Sequence, residues 1–299
     1  MLLLRCLGLS LALLLSLSDP THADLDGGAI KMVVSNYPLA YFAERLGGMR
    51  VHVALPMPSD EDPAFWRPDA KAIAQMQRAD LIVLNGANYE KWLPKVSLPK
   101  LKQVDTSASF KDALIHVENA VTHSHGPGGM HSHSGIAFTT WLDFEQAGKQ
   151  AEELAKALIR KRPELKSVIQ DNLQKLSADL QSLDEQTKVI AAKLAGKPLL
   201  ASHPIYQYLA RRYGLNVQSV HWEPGEMPPT AEWAALGKML ESHPAHSMLW
   251  EGQPSNGIAS RLKAMGVASI VFEPCANRPG FEDFFAVMKQ NLLRLQSAR

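Results

Sequence analysis

Short apolar runs rich in β-branched residues alternate with amphipathic helical stretches along most of the chain. In the first half, residues 30–35 (IKMVVS) read as a strand, 38–46 as a helix, 51–55 as a strand and 68–79 as a helix. Residues 81–84 (LIVL) then read as a buried strand ending at Asn85-Gly86. A continuous apolar run that short, bounded by Asn and Gly, suits a strand covered on both faces, and the alternation with helices is that of parallel βα units. The second half repeats it. Residues 198–201 are a strand, 204–213 a helix stopped by Gly214, 217–220 a strand, 230–242 a helix, 247–250 a strand, 257–265 a helix and 269–272 a strand. A C-terminal helix runs from Phe281 onwards. The predicted fold class is α/β, with two lobes built on mainly parallel sheets.

Between the halves the period changes. Pro163 suits the first turn of a helix, and Leu165, Val168, Ile169, Leu173, Leu176, Leu180, Leu183, Ile190 and Leu194 then recur mostly at steps of three and four until Gly196 and Pro198. A helix of about 30 residues reaches some 45 Å. A dimerising coiled coil would sustain its heptads longer and set charges at e and g more regularly, so the stripe reads as a rigid backbone helix packed along both lobes, in a monomer. The expected divisions are an N-terminal α/β lobe over 24–145, a helical region with the long linking helix over 146–196, and a C-terminal α/β lobe over 197–299.

Residues 1–23 look different. Met1 is followed by three leucines, Arg5, an apolar run over 7–17 and then Thr21-His22-Ala23, a small-x-small site before Asp24. This is the pattern of a cleavable secretory signal peptide, and it places the protein in the periplasm. Cys6 lies inside that segment, which leaves Cys275 alone and no intramolecular disulfide in the mature chain. The 31 basic and 30 acidic residues nearly cancel, which argues against a nucleic-acid surface.

The densest chemistry lies over 122–135, THSHGPGGMHSHSG, where His123, His125, His131 and His133 sit on a stretch that Gly and Pro keep out of long regular elements. Imidazole binds zinc, copper or nickel at neutral pH without first losing a proton, so the cluster suits a divalent metal. Enzymatic signatures are missing: no phosphate-binding Gly-x-x-x-x-Gly-Lys, no His-Glu-x-x-His, no Gly-x-Ser-x-Gly and no glycine fingerprint after the first strand.

Several segments together carry a family resemblance: VVSNYPLAYFAERLGG from Val33, ADLIVLNGANYEKWL from Ala79, the His-rich loop, TWLDFEQAGKQAEELAKAL from Thr140, SHPIYQYLARRYGL from Ser202 and LWEGQPS from Leu249. The chain resembles the periplasmic solute-binding proteins of zinc and manganese ABC transporters, of the high-affinity zinc-uptake type. The resemblance implies two α/β lobes joined by a long helix. It further implies that one divalent metal is held in the cleft, with zinc expected first and manganese or copper as alternatives, and is delivered to a membrane permease.

The resemblance also marks departures. Such proteins usually open the metal site with an Asp-Pro-His-x-x-x-Pro segment, but here Asp62-Pro63 is followed by Ala64. A second histidine usually stands before the Trp-Leu pair, where this chain has Thr139. The third position is kept as His203 and the fourth, acidic, position matches Glu273. Two ligands are too few for a closed site. The loop histidines are expected to complete it, with Cys275 and Asp60, Glu61 and Asp62 as further donors and Trp66 as a group that fills the emptied position. His221, His243 and His246 carry no expected role. The alternative is a degenerate member that has lost cleft binding and serves as a metal buffer, chaperone or partner-binding protein.

Overall fold

The computed structural model describes residues 28–59, 61–117, 122–124, 130–132 and 135–299. The expected signal peptide and Asp60 lie outside the described residues, as do His125 and His133. No described helix is long and apolar enough to cross a membrane.

The N-terminal lobe is a four-stranded parallel sheet of β1 (Ile30–Val34), β2 (Val51–Ala54), β3 (Leu81–Leu84) and β4 (Gln103–Asp105), in the order β2-β1-β3-β4. Its helices are α1 (Tyr37–Gly47) and α2 (Ala70–Arg78), capped by the side chains of Asn36 and Asp69. Two short antiparallel ribbons follow, β5 (His116–Val117) with β8 (Gly135–Ile136) and β6 (Thr122–Ser124) with β7 (Met130–Ser132). The C-terminal lobe is a second parallel sheet of β9 (Pro198–Ala201), β10 (Asn216–Ser219), β11 (Ser247–Trp250) and β12 (Ala268–Val271), in the order β10-β9-β11-β12. It carries α5 (Gln207–Tyr213), α6 (Thr230–Ser242) and α7 (Asn256–Ala264). Gly214 ends α5 in the left-handed region at φ 67°, a conformation that favours glycine.

Two long helices hold the lobes together. α3 (Phe144–Lys161) is capped by Asp143, and α4 (Lys166–Ala192) is the expected linking helix, shortened by a 3-10 turn over Pro163–Leu165. The stripe read from sequence is largely its inner face: Ile169, Leu176, Leu180, Leu183 and Ile190 are buried, whereas Val168 is exposed. α4 packs on α3 and α1 on one side and on α5 and α8 (Phe284–Leu295) on the other. α8 in turn returns to the N-terminal lobe, where Phe284 lies edge-on to Phe42 at 5.5 Å.

The period-two alternation of strands sorts residues between cores. Val34, Val83, Ala201 and Leu249 belong to one continuous cluster with α3 and α4, while Val33, Ile82 and Leu84 join an outer core in one lobe and Leu200, Met248 and Trp250 an outer core in the other. One apolar body therefore runs through both lobes and the spine, which opposes large rotation of one lobe against the other.

Candidate metal centre

In an open parallel sheet a crevice forms beyond the carboxyl ends of the strands, where connections leave to opposite sides. The C-terminal sheet places that point between β9 and β11. Immediately beyond β9 come Ser202-His203 and immediately beyond β11 comes Glu251, while Glu223 lies in the loop after β10. The backbone continues the ladder past the strand ends. Ser202 N–H donates to Leu249 O at 2.8 Å, Val220 N–H to Ala201 O at 2.9 Å and Trp222 N–H to Ser202 O at 2.8 Å. Pro204 follows, and α5 begins only at Gln207 with no side-chain cap, so the His203 ring is not used to start a helix.

The three side chains converge. His203 Nε2 lies 3.2 Å from Glu223 Oε1 and Nδ1 lies 3.0 Å from Glu251 Oε1. One ligand atom from each residue falls within 4.8 Å of the others, spacing that a single cation can bridge. His203 is 2% exposed. Burial alone pulls its pKa down, but the hydrogen bond and charge of Glu251 and the charges of Glu223 and Asp62 outweigh that, and the net shift is upward. Two carboxylates facing one buried imidazole stabilise positive charge there, and a divalent ion can take the place of that proton. His221, in the same loop as Glu223, stands edge-on to His203 with ring centroids 6.2 Å apart.

Glu273 and Cys275, also expected as donors, lie outside this cluster. Glu273 is outside the cluster: it follows the edge strand β12, its backbone N–H donates to Asn291 Oδ1 at 3.0 Å, and Asn291 Nδ2 donates back to its carbonyl at 2.7 Å. Burial raises its carboxyl pKa, and the charges that act on it are those of Arg294 and Glu282. Cys275 is 1% exposed, and burial, followed by the charges of Glu273, Asp283 and Glu282, pushes its thiol far up. Cys275 lies outside the cluster around His203. Its neighbours Pro274 and Ala276 accept hydrogen bonds from Trp141 Nε1 at 2.7 Å and Tyr37 N–H at 2.8 Å, so this segment joins the lobes.

On the N-terminal side, Ala64 is buried in the apolar cluster and Thr139 donates its hydroxyl to Ile205 O, two residues beyond His203. The two positions that lack histidine are thus closed by packing and by an inter-lobe hydrogen bond. Asp62 Oδ1 accepts from Ala64 N–H at 2.9 Å, and its charge reaches His203. Trp66 turns away from any filling role, lying edge-on to Trp92 at 6.2 Å within the outer core. His123 stands opposite His131 in the β6–β7 register.

Glu223 and Glu251 are not among the ligands expected from sequence. Each is the first acidic residue after a strand of the C-terminal sheet, as Glu273 also is, and what singles them out is that β10 and β11 flank β9.

Comparison with known proteins agrees with this architecture. Residues 32–298 match the ZnuA family, described as zinc-uptake complex component A periplasmic. The chain is 28% identical over 295 residues to the zinc-binding lipoprotein AdcA of Streptococcus pneumoniae (strain ATCC BAA-255 / R6), an alignment that covers 95% of this chain and 58% of AdcA. It is 28% identical over 290 residues to the high-affinity zinc uptake system protein ZnuA of Bacillus subtilis (strain 168), covering 94% and 91% of the two chains. Among solved structures, the metal-dependent lipoprotein YcdH of Bacillus subtilis superposes with a TM-score of 0.77 at 24% identity, over 90% of this chain and 98% of YcdH. The Zn(II)-bound ZnuA-like domain of Streptococcus pneumoniae AdcA gives 0.76 at 24% identity, over 90% and 98%. The chain thus spans little more than half of AdcA, and the structural matches establish the fold. With nearly its whole described length matched, the chain belongs to the ZnuA family of zinc-uptake periplasmic components.

Proposed function

We propose that this protein is a periplasmic receptor that binds a divalent metal, zinc in the first instance, in the crevice between its lobes and delivers it to an ABC transporter permease. The observation that carries the reading is the buried His203 flanked by Glu223 and Glu251 at the carboxyl ends of the C-terminal strands. Imidazole and carboxylate are ordinary zinc donors. The relatives named for zinc binding and zinc uptake support zinc as the cargo. In the site as proposed, His203 is the anchor, the paired carboxylates balance the charge of the ion, and the histidines at 123, 125, 131 and 133 are auxiliary metal donors.

Zinc titration of the full chain tests this. One tight equivalent is expected, and His203→Ala should remove it, because losing even an outer partner of a ligand costs roughly 10- to 100-fold in affinity. Several weak equivalents and no tight one, with His203→Ala behaving as the parent, would establish the buffer reading instead, in which only the loop histidines take metal.

A further inference from the structure

His203 has a carboxylate on each ring nitrogen, and one ion cannot sit on both nitrogens. The Nδ1 side is the more firmly built. β11 pairs directly with β9, Ser202 N–H is bonded to Leu249 O at 2.8 Å, and Glu251 follows that strand without an intervening loop. The Nε2 side faces the loop after β10, which brings two donors. Glu223 is one, and His221 stands two residues before it. Backbone bonds fix the chain on either side of His221, through Val220 N–H to Ala201 O at 2.9 Å and Trp222 N–H to Ser202 O at 2.8 Å. In extended backbone residues i and i+2 share a face, so His221 and Glu223 are turned the same way.

The ring spacing is within about 1 Å of that of a shared ion. An imidazole nitrogen binds zinc at about 2.0–2.1 Å, which places the ring centroid about 3.2 Å from the metal and sets two rings at a tetrahedral angle about 5.2 Å apart. His203 and His221 are 6.2 Å apart with their planes at 89°. His221 is half-buried, and its side chain must close that distance of about 1 Å to reach the ion.

We infer that His221 is a second imidazole ligand: the ion seats on Nε2 of His203 together with His221 and Glu223, and Glu251 is a positioning residue that holds the Nδ1–H of His203. This rests on the metal-binding reading above. The β10 loop then supplies the imidazole that Ala64 and Thr139 do not, and the centre lies wholly in the C-terminal lobe. Three protein ligands with a fourth position open suit a cargo that must leave, since an incoming ligand can attach before the protein lets go.

The test is competition of the full chain against a chelator for zinc, so that only the tightest site is read, with the visible spectrum of the Co(II) form as a report on the ligand set. Metal-free melting controls for folding. His221→Ala and Glu223→Ala should each lower zinc affinity more than tenfold and change the Co(II) spectrum. Glu251→Ala should lower affinity roughly 10- to 100-fold with the spectrum kept, and Glu251→Gln should restore most of it, because its amide oxygen still accepts from Nδ1–H. His221→Gln serves if the alanine variant fails to fold. A parent that binds tightly beside a His221 variant with unchanged affinity and spectrum overturns the inference and leaves the receptor reading standing. A Glu251→Gln variant that alters the spectrum as Glu223→Ala does overturns the division of roles. A parent without a tight site overturns the receptor reading itself.

Discussion

The two sheets have the same strand order, and their registers place Val34 opposite Val83 in one and Ala201 opposite Leu249 in the other. Beyond those pairs the chain makes the same bond in both lobes, Ser35 N–H to Val83 O at 3.1 Å and Ser202 N–H to Leu249 O at 2.8 Å. Asn36 and Asn85 of the N-terminal lobe therefore occupy the positions of His203 and Glu251. In each lobe the two side chains touch, Asn36 Nδ2 donating to Asn85 Oδ1 at 3.2 Å, and His203 Nδ1 lying 3.0 Å from Glu251 Oε1. Their surroundings differ. Asn36 Oδ1 caps α1 through Leu39 N–H, and Asn85 also bonds Phe138 O, Gln150 and Thr140, so every donor and acceptor is turned inward. The C-terminal pair caps no helix and faces the crevice with its charges. One topology thus yields a closed polar joint in one lobe and a charged, ion-ready pair in the other, and the difference lies in side chains alone.

Removing the equivalent residue from each lobe should give opposite outcomes, and this is the largest expected effect. Asn85→Leu leaves the buried Asn36 Nδ2 without its acceptor and takes one bond each from Gln150, which keeps Thr106, and from the Phe138 carbonyl, which keeps Thr140 N–H, at a cost of about 2 kcal/mol or more in denaturant unfolding, since an orphaned buried group costs about 1–3 kcal/mol. Glu251→Leu should cost about 1 kcal/mol or less in the metal-free protein, because its side chain is 26% exposed and His203 can lose its proton, yet zinc affinity should drop. Equal destabilisation by the two substitutions would show that the C-terminal pair is a structural joint as well.

Glu90 separates the lobes by pH. Burial raises its carboxyl pKa to about 7, against the opposing hydrogen bonds from Ser35 and from the N–H groups of Asn85 and Gly86. The folded state then holds a proton that the unfolded chain, titrating near about 4.3, has already released. Stability from this group is present below the unfolded value and falls as pH rises from about 4 through about 7. Glu90→Gln, which cannot ionise, should flatten the unfolding free energy over that window. An unchanged slope would mean that the carboxylate is already charged in the folded protein.

Much of this architecture is legible in the sequence because burial on both faces leaves apolar runs with sharp ends. The strands at 81–84, 198–201 and 247–250 and the helix at 230–242 match their expected bounds. The C-terminal helix starts at Phe284 rather than Phe281, because Asp283 supplies the cap to Ala286 N–H. β4 escapes reading because three residues carry too little pattern. At the site, His203 is legible from Ser-His-Pro after a strand, whereas the partners of its ring follow from sheet order. β10 and β11 flank β9, so their ends meet His203, while Glu273 follows the outer strand β12. Sequence spacing carries no information on which strands are neighbours, so the grouping of Glu223 and Glu251 with His203 is not read from it.

A smaller effect is expected where the lobes meet. Thr139→Val removes the hydroxyl that bonds Ile205 O and keeps the shape, so unfolding should lose about 1 kcal/mol. Zinc affinity should stay within a few fold if, as inferred above, the ligands come from the C-terminal lobe. A large loss of affinity would show that the inter-lobe bond sets the position of His203.

Glu273→Gln should do least, and it sharpens the comparison most. Glu273 follows the edge strand, two strand spacings from His203, or roughly 9–10 Å across the sheet. Its backbone is clamped by Asn291 on both sides of the peptide group, and that clamp survives the substitution. Burial already raises the carboxyl pKa, so ionisation at neutral pH is a cost to the folded state, and the amide should leave stability equal or slightly higher. Zinc affinity should remain within about twofold, as for a side chain outside the ligand set and its supports. A drop of more than tenfold would place the ion between Glu251 and Glu273, on the Nδ1 side of His203, and the β10 loop would then lose its role as the source of ligands.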